Sequence, residues 1–364
     1  VELGRVLIAV SGTGGHVYPG IALAQELRAR HPDWDIVFAA AKGKPGADWI
    51  ERAGFATRFV SLRGFARRPT FRWLLFPFQL VSGLLQTLGV LRRERPSLVV
   101  GTGGYVSGPF VAFAALSGIP TIVLEQNAIP GVATRLACRF ARETHVAVPE
   151  AKERLPHSER VFVSGNPVRR EIEFGDPEPF WRDHALDPRL PTVVVIGGSQ
   201  GAVALTEAAL GAAALLVDRP CQWVIQTGAR AFERTSRSET IPTSVRLVPF
   251  LQEMGSVYAA ASLVVARAGA MTLAELAASG TPAVLVPYPF AAEDHQSVNA
   301  RRAVRTGGAA MIDQADLSPA SLAAAVGALI GDEAGLRKMG EAARSGEAAG
   351  ARETIASACE AWVA

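Results

Sequence analysis

The chain has 364 residues, a formal net charge of +3 and 49% hydrophobic residues. That length favours two domains and buries a core without disulfides or metal, and so small a net charge excludes nucleic-acid binding by bulk electrostatics. The three cysteines, Cys138, Cys221 and Cys359, are far apart and lack CxxC spacing, which argues against a disulfide framework or a zinc site and for the cytosol.

In chain order, the first element is the apolar run VLIAV at 6–10. No charged leader, long apolar segment or cleavage pattern stands there, so no secretory signal is expected. SGTGGHVYPG follows at 11–20 and reopens as the helix-like IALAQELRAR. A strand that meets glycines and resumes as a helix presents unpaired N–H groups where an anionic or polar ligand is stabilised. His16 stands at that helix start and is a candidate general base; the alternative is a residue that only closes the turn by hydrogen bonding. Asp33 and Asp35 spell DWD, but before the strand IVFAA, at the wrong sheet edge for ligands, and read as a surface turn.

Residues 63–72, RGFARRPTFR, carry four arginines without an acid and adjoin the apolar WLLFPFQLVSGLLQTLGVL. The stretch TFRWLLFPFQLVSGLLQTLGVL is nearly long enough to span a bilayer, but Arg72, Gln79 and Gln86 would lie within the span and Pro77 would break it. Its later part, LVSGLLQTLGVLRRE, is predicted as a buried amphipathic helix. For Phe71, Trp73, Leu74, Leu75, Phe76 and Phe78 beside the arginines, a peripheral lipid-facing surface is the better reading, with Trp73 and Phe76 in lipid and Arg67, Arg68 and Arg72 above them.

Further apolar runs, LVVG, TIVLE and THVAV, then TVVVIGG, CQWVIQTG, VRLVPF, LVVAR and PAVLVPY, alternate with helical patterns. This predicts an α/β fold with buried parallel strands. The stretch 165–191 is rich in proline and charge and reads as a linker between two Rossmann-like domains, 1–164 and 192–340, with a C-terminal helix, 341–364, that could pack back on the first. The halves echo each other, since strand–glycine–helix recurs at TVVVIGGSQGAVALTEAAL from 192, and GTGGYVSGP at 101–109 adds a third such turn. Such loops gather at the carboxyl edges of strands, so a cleft between facing domains is expected. A dinucleotide site would need G-x-G-x-x-G/A and an acid ending the second strand, and a P-loop would need GK[ST]; neither is present. Glu275, early in the helix that Arg267, Ala268 and Gly269 lead into, could cap that helix electrostatically or accept ribose hydroxyls.

Taken together, SGTGGHVYPG, GTGGYVSGP, LEQNAIPG, SGNPVRR, GGSQGA, RAGAMTLAE and DHQSVNA resemble, in order over 11–300, the motifs of the MurG family of glycosyltransferases. The resemblance implies a GT-B fold and an inverting transfer of N-acetylglucosamine from UDP-N-acetylglucosamine to the lipid-linked muramyl-pentapeptide of peptidoglycan synthesis. It implies no metal or other cofactor, no nucleic acid, and attachment to anionic lipid at the cytoplasmic face of the inner membrane, where other cell-wall synthesis proteins could be met. Carried over by motif, His16 is the base, and Thr13, Gly14, Gly15 and Asn127 approach the donor sugar. Arg169 and Ser199 hold the diphosphate, and Leu251 meets uracil through its backbone. Ala270, Met271, Thr272, Leu273, Ala274 and Glu275 form the donor loop, with Glu275 on the ribose and Gln296 on sugar hydroxyls. Gly103, Gly104, Tyr105 and Glu125 fall on the acceptor side. Leu124 stands where some relatives place His, and the loop around His295 and Gln296 varies in length among relatives. The nearest rivals are another GT-B transferase, a UDP-N-acetylglucosamine epimerase, and a non-catalytic nucleotide-sugar sensor.

Overall fold

The computed structural model describes residues 4–62, 76–198, 201–237, 241–345 and 350–363. The chain divides into two units, Val1–Arg169 with Gly350–Ala364, and Arg170–Ala349. The first is built on β1 (Arg5–Val10), β2 (Asp35–Ala41), β3 (Ala56–Val60), β4 (Leu98–Gly101), β5 (Thr121–Glu125), β6 (Glu143–Val146) and β7 (Val161–Val163). These form one seven-stranded sheet in the order β3-β2-β1-β4-β5-β6-β7, every pair parallel. The second unit carries β8 (Thr192–Ile196), β9 (Gln222–Gln226), β10 (Val245–Val248), β11 (Leu263–Ala266), β12 (Ala283–Leu285) and β13 (Ala309–Met311). They form a six-stranded sheet in the order β10-β9-β8-β11-β12-β13, again all parallel.

Central strands such as β1 and β8 are apolar on both faces because helices cover both. On one face of the first sheet, Ile8, Val10, Phe38 and Val100 pack against Ile21, Leu23 and Leu27 of the helix Gly14–Arg30. On the other, Leu7, Ala9 and Val99 meet Phe110 and Ala114 of the helix Gly104–Leu116. In the second sheet, Val193, Val195, Trp223 and Val265 pack against Leu205, Ala209 and Val326.

The stretch 165–191 holds two short helices, Arg170–Glu173 and Glu178–Asp183, and both pack on the helix Met254–Ala260 of the second unit. The last residues expected as one helix are divided: Glu333–Ser345 belongs to the second unit, and Ala351–Val363 lies on the helix Gly14–Arg30 in the first. There Ile355, Ala356 and Cys359 enter the core, Arg352 donates to the Val168 carbonyl at 2.8 Å, and Trp362 Nε1 donates to Glu143 at 2.8 Å.

Candidate active site

In each sheet the chain reverses its direction of travel once, between β1 and β4 and between β8 and β11. At such a point the loops leaving the two carboxyl ends separate, and a crevice opens at the strand ends. The three glycine-rich turns singled out in the sequence leave from β1, β4 and β8, and RAGAMTLAE leaves from β11.

In the first unit the helix begins at Gly14, with Thr13 in extended conformation before it, so His16 is in the first helical turn. Thr13 O accepts from His16 N and Val17 N. The imidazole Nδ1 lies 2.9 Å from the Thr102 carbonyl oxygen and 3.2 Å from Gln126 Oε1. Both are acceptors only, so Nδ1 carries the proton and the lone pair of the neutral ring is on Nε2. Thr102 Oγ1 also donates to the His16 carbonyl at 2.7 Å, tying the turn after β4 to the helix start. That turn needs glycine: Gly103 and Gly104 have φ of +93° and +75°, and a Cβ on Gly103 would stand 3.0 Å from His16 Nδ1. His16 therefore does close the turn, but with one nitrogen only. Among the described residues Nε2 makes no hydrogen bond.

Glu125, at the end of β5, is buried and accepts from Asn127 N at 3.0 Å, Asn127 Nδ2 at 3.2 Å and Gly131 N at 3.1 Å. Its carboxylate shapes the loop, and Asn127 is half-buried within that loop. Tyr105 packs on the core beneath Gly104–Leu116. The guanidinium of Arg169 sits 4.4 Å above the Tyr18 ring, which stacks on Trp49.

In the second unit, a cavity of about 580 Å³ is lined by Gly197 and Gly201 after β8, Arg267 after β11, and Tyr288 and Phe290 after β12. Ser199, between those glycines, lies outside the described residues. Arg267 donates to the carbonyls of Val286 and Pro287 at 3.1 and 3.2 Å, and burial lowers the pKa of its guanidinium. Gln226 Nε2 donates to Gly198 O at 2.9 Å, and its Oε1 accepts from Leu251 N at 3.2 Å. The N–H of Leu251 is thus bonded within the protein.

The helix Ala270–Ser279 starts after Gly269, and Ala270, Met271, Thr272 and Leu273 make its first turn. Ala274 and Glu275 are buried in the second turn, beyond the reach of simple electrostatic capping. Tyr258 Oη donates to Glu275 Oε2 at 3.0 Å, orienting the carboxylate. Gln296 Oε1 accepts from Tyr288 N at 2.9 Å, so this side chain shapes the Tyr288 loop. The preceding Glu293 and Asp294 both have φ of +52°, a strained conformation for residues with a Cβ.

Of the residues expected at a lipid surface, Arg67, Arg68, Arg72 and Trp73 lie outside the described residues, as does the side chain of Phe76. The helix Phe76–Glu94 follows, and no described helix is long and apolar enough to cross a membrane. It buries Gly83, Thr87, Leu91 and Glu94. Its outer face differs from that of an ordinary amphipathic helix: Phe78, Val81 and Leu85 are 74%, 56% and 63% exposed. The neighbouring helix Gly104–Leu116 also contacts Val132–Ala137, where Val132, Leu136 and, just beyond, Phe140 are exposed beside Arg135 and Arg139.

Thr102, Gln126, Gln226 and Tyr258 escaped the sequence reading as site residues. Gln126 stands inside the quoted LEQN motif, and Gln226 follows the apolar Trp223–Ile225 at the carboxyl end of its strand; that polar ending was the available signal.

Comparison with known proteins adds an independent line. Residues 6–146 match the glycosyltransferase family 28 N-terminal domain, and 192–355 match the glycosyltransferase family 28 C-terminal domain. A protein of Chlorobaculum parvum named "UDP-N-acetylglucosamine--N-acetylmuramyl-(pentapeptide) pyrophosphoryl-undecaprenol N-acetylglucosamine transferase" is 41% identical over 359 residues, 97% of each chain. A protein of the same name from Anaeromyxobacter is 42% identical, covering 98% of this chain and 92% of its own. Among solved structures, Acinetobacter baumannii MurG matches with a TM-score of 0.73 at 26% identity, over 98% of this chain and 99% of that one.

Proposed function

Because the chain belongs to the MurG family within glycosyltransferase family 28, we infer that it moves N-acetylglucosamine from UDP-N-acetylglucosamine to the 4-hydroxyl of undecaprenyl-diphospho-N-acetylmuramoyl-pentapeptide, with inversion. The observation that carries this reading is 41% identity sustained over 97% of both chains. The match thus spans both units and not one alone.

His16 is the base in this reading. With Nδ1 protonated, Nε2 takes the proton of the acceptor hydroxyl while its oxygen bonds to the anomeric carbon. The bond from that carbon to the diphosphate breaks on the opposite face, its electron pair leaves on UDP, and a β-linkage results. Arg169 and the N–H groups of the turn around Ser199 take up the leaving charge, and no metal is needed. Leu251 offers its carbonyl to uracil, Glu275 accepts from the ribose, and Thr13, Gly14, Gly15 and Asn127 approach the sugar. The Gln296 amide nitrogen faces the sugar hydroxyls, because Oε1 is held by Tyr288. Gly103, Gly104 and Tyr105 line the acceptor side, while Glu125 serves it by holding the loop after β5. The direct assay supplies UDP-N-acetylglucosamine and the lipid-linked muramyl peptide; failure to form the lipid-linked disaccharide would refute the activity.

A lipid-linked acceptor calls for a landing surface on the first unit. The exposed Phe78, Val81 and Leu85 support one, and Trp73 and Phe76 shortly before them in sequence are of the same apolar character. With Arg67, Arg68 and Arg72 above them, each arginine adds about 1 kcal/mol of attraction to anionic lipid. Attachment is therefore peripheral, salt-sensitive and on the cytoplasmic leaflet. Phe78→Ser with Leu85→Ser should weaken co-flotation with anionic vesicles and spare activity on a water-soluble acceptor analogue. Undiminished flotation would remove these residues from the surface.

A further inference from the structure

Gln126 follows β5 and is 3% exposed, and its main-chain carbonyl accepts from Asn166 Nδ2 at 3.2 Å. Its amide Nε2 reaches the Leu124 carbonyl at 3.5 Å. An amide nitrogen can only donate and a carbonyl can only accept, so this contact orients the amide with Oε1 toward the His16 ring. Glu125, one residue earlier, is held elsewhere, its carboxylate accepting from the N–H groups of Asn127 and Gly131. The position facing the imidazole is thus held by a neutral amide, although a carboxylate of nearly the same shape stands next in sequence.

The other groups facing the ring are the Thr102 carbonyl and the backbone of Gly103 and Gly104. Among the described residues, no carboxylate or guanidinium forms a hydrogen bond or ion pair with His16. The titratable side chains nearest in sequence on the surrounding elements are engaged otherwise: Tyr18 between Trp49 and Arg169, Tyr105 on the core, and Glu125 in its loop.

We propose that Gln126 is the positioning residue of the base: with Thr102 it holds the proton on Nδ1 and leaves Nε2 bare, while withholding the negative charge that would keep the ring protonated. The chemistry demands that combination. A carboxylate on Nδ1 would hold the ring as firmly but favour imidazolium, which cannot take the acceptor proton. An apolar residue would leave the ring less constrained. The amide supplies orientation without charge.

The inference rests on His16 as the base, and three measurements separate the two claims. In the wild-type protein, nitrogen chemical shifts of the His16 ring should report the Nδ1–H tautomer, and an Nε2–H tautomer would overturn the proposal. Gln126→Glu should move the acid limb of the kcat–pH profile upward by about one to three pH units, so that turnover is depressed near neutrality and recovers on alkaline titration. An unmoved limb would overturn the proposal even where His16→Ala is inactive. If His16→Ala turns over normally, the reading of the base itself fails. Should Gln126→Glu not fold, the wild-type tautomer still decides.

Discussion

Gln126, one residue past β5, and Gln226, the last residue of β9, are both 3% exposed and both stand at the carboxyl edge of a parallel sheet. Their partners differ in kind. Gln126 turns its oxygen to an imidazole, whereas Gln226 bonds at both ends to backbone, the Gly198 carbonyl and the Leu251 N–H. The first unit uses its amide to fix a side chain whose protonation state matters. The second uses its amide to tie together two loops, those of Gly198 and Leu251. Under the proposed assignment, two sheets of the same design would thus be divided by what their loops present, proton chemistry in one and nucleotide recognition in the other.

The division is broken most directly at His16. Its replacement by Ala should lower kcat about a hundredfold or more and leave UDP affinity nearly intact. Normal turnover would erase the chemical half of the contrast. Next in size is Glu275→Ala, which should weaken donor binding by about 1–3 kcal/mol, the cost of losing a hydrogen bond to a charged group. Unchanged calorimetric affinity for UDP-N-acetylglucosamine would remove Glu275 from the ribose. Smaller still, Gln226→Glu keeps the acceptor for Leu251 N–H but loses the donor to Gly198. The donor KM should rise about two- to fifteenfold with the acid limb of kcat in place. A displaced limb would show that the two glutamines are not divided in role as drawn.

The same physics explains which parts were readable in advance. The runs read as strands, from VLIAV to PAVLVPY, correspond to all but three strands. The three without a counterpart, β3, β7 and β13, are each at an edge of a sheet. An edge strand is covered less completely, and each of these three is only partly buried, so no continuous buried run marks them. The segment 165–191 looked like a linker because its helices are very short and proline-flanked; packing on Met254–Ala260, which composition does not encode, holds them. The glycine turns and the place of His16 at a helix start were legible because a strand that ends in glycines and reopens as a helix is a local motif. The partners of His16 were not, since Thr102 and Gln126 are 86 and 110 positions away along the chain. Only strand order brings them together.

A second histidine in the first unit sharpens the contrast from within. His145 on β6 is buried, with Nδ1 2.7 Å from Ser164 Oγ and Nε2 3.2 Å from Glu143 Oε2. Here a carboxylate does face the ring, yet burial outweighs it and holds the imidazole pKa below its ordinary value. The folded state therefore keeps His145 neutral where the unfolded chain takes up a proton. The stabilisation is fully present above the unfolded value, about 6.5, and is lost as pH falls below it. His184 in the second unit, also lowered by burial, contributes with the same sign. Each pH unit of separation is worth about 1.4 kcal/mol, so Tm should fall by roughly a few degrees between pH 7 and 5.5. His145→Phe removes the titrating ring and the hydrogen bond to Ser164. Its Tm should be lower at pH 7 but should decline less steeply toward pH 5.5. A slope equal to that of the wild type would mean that His145 is already charged in the folded protein, and that burial has lost to Glu143.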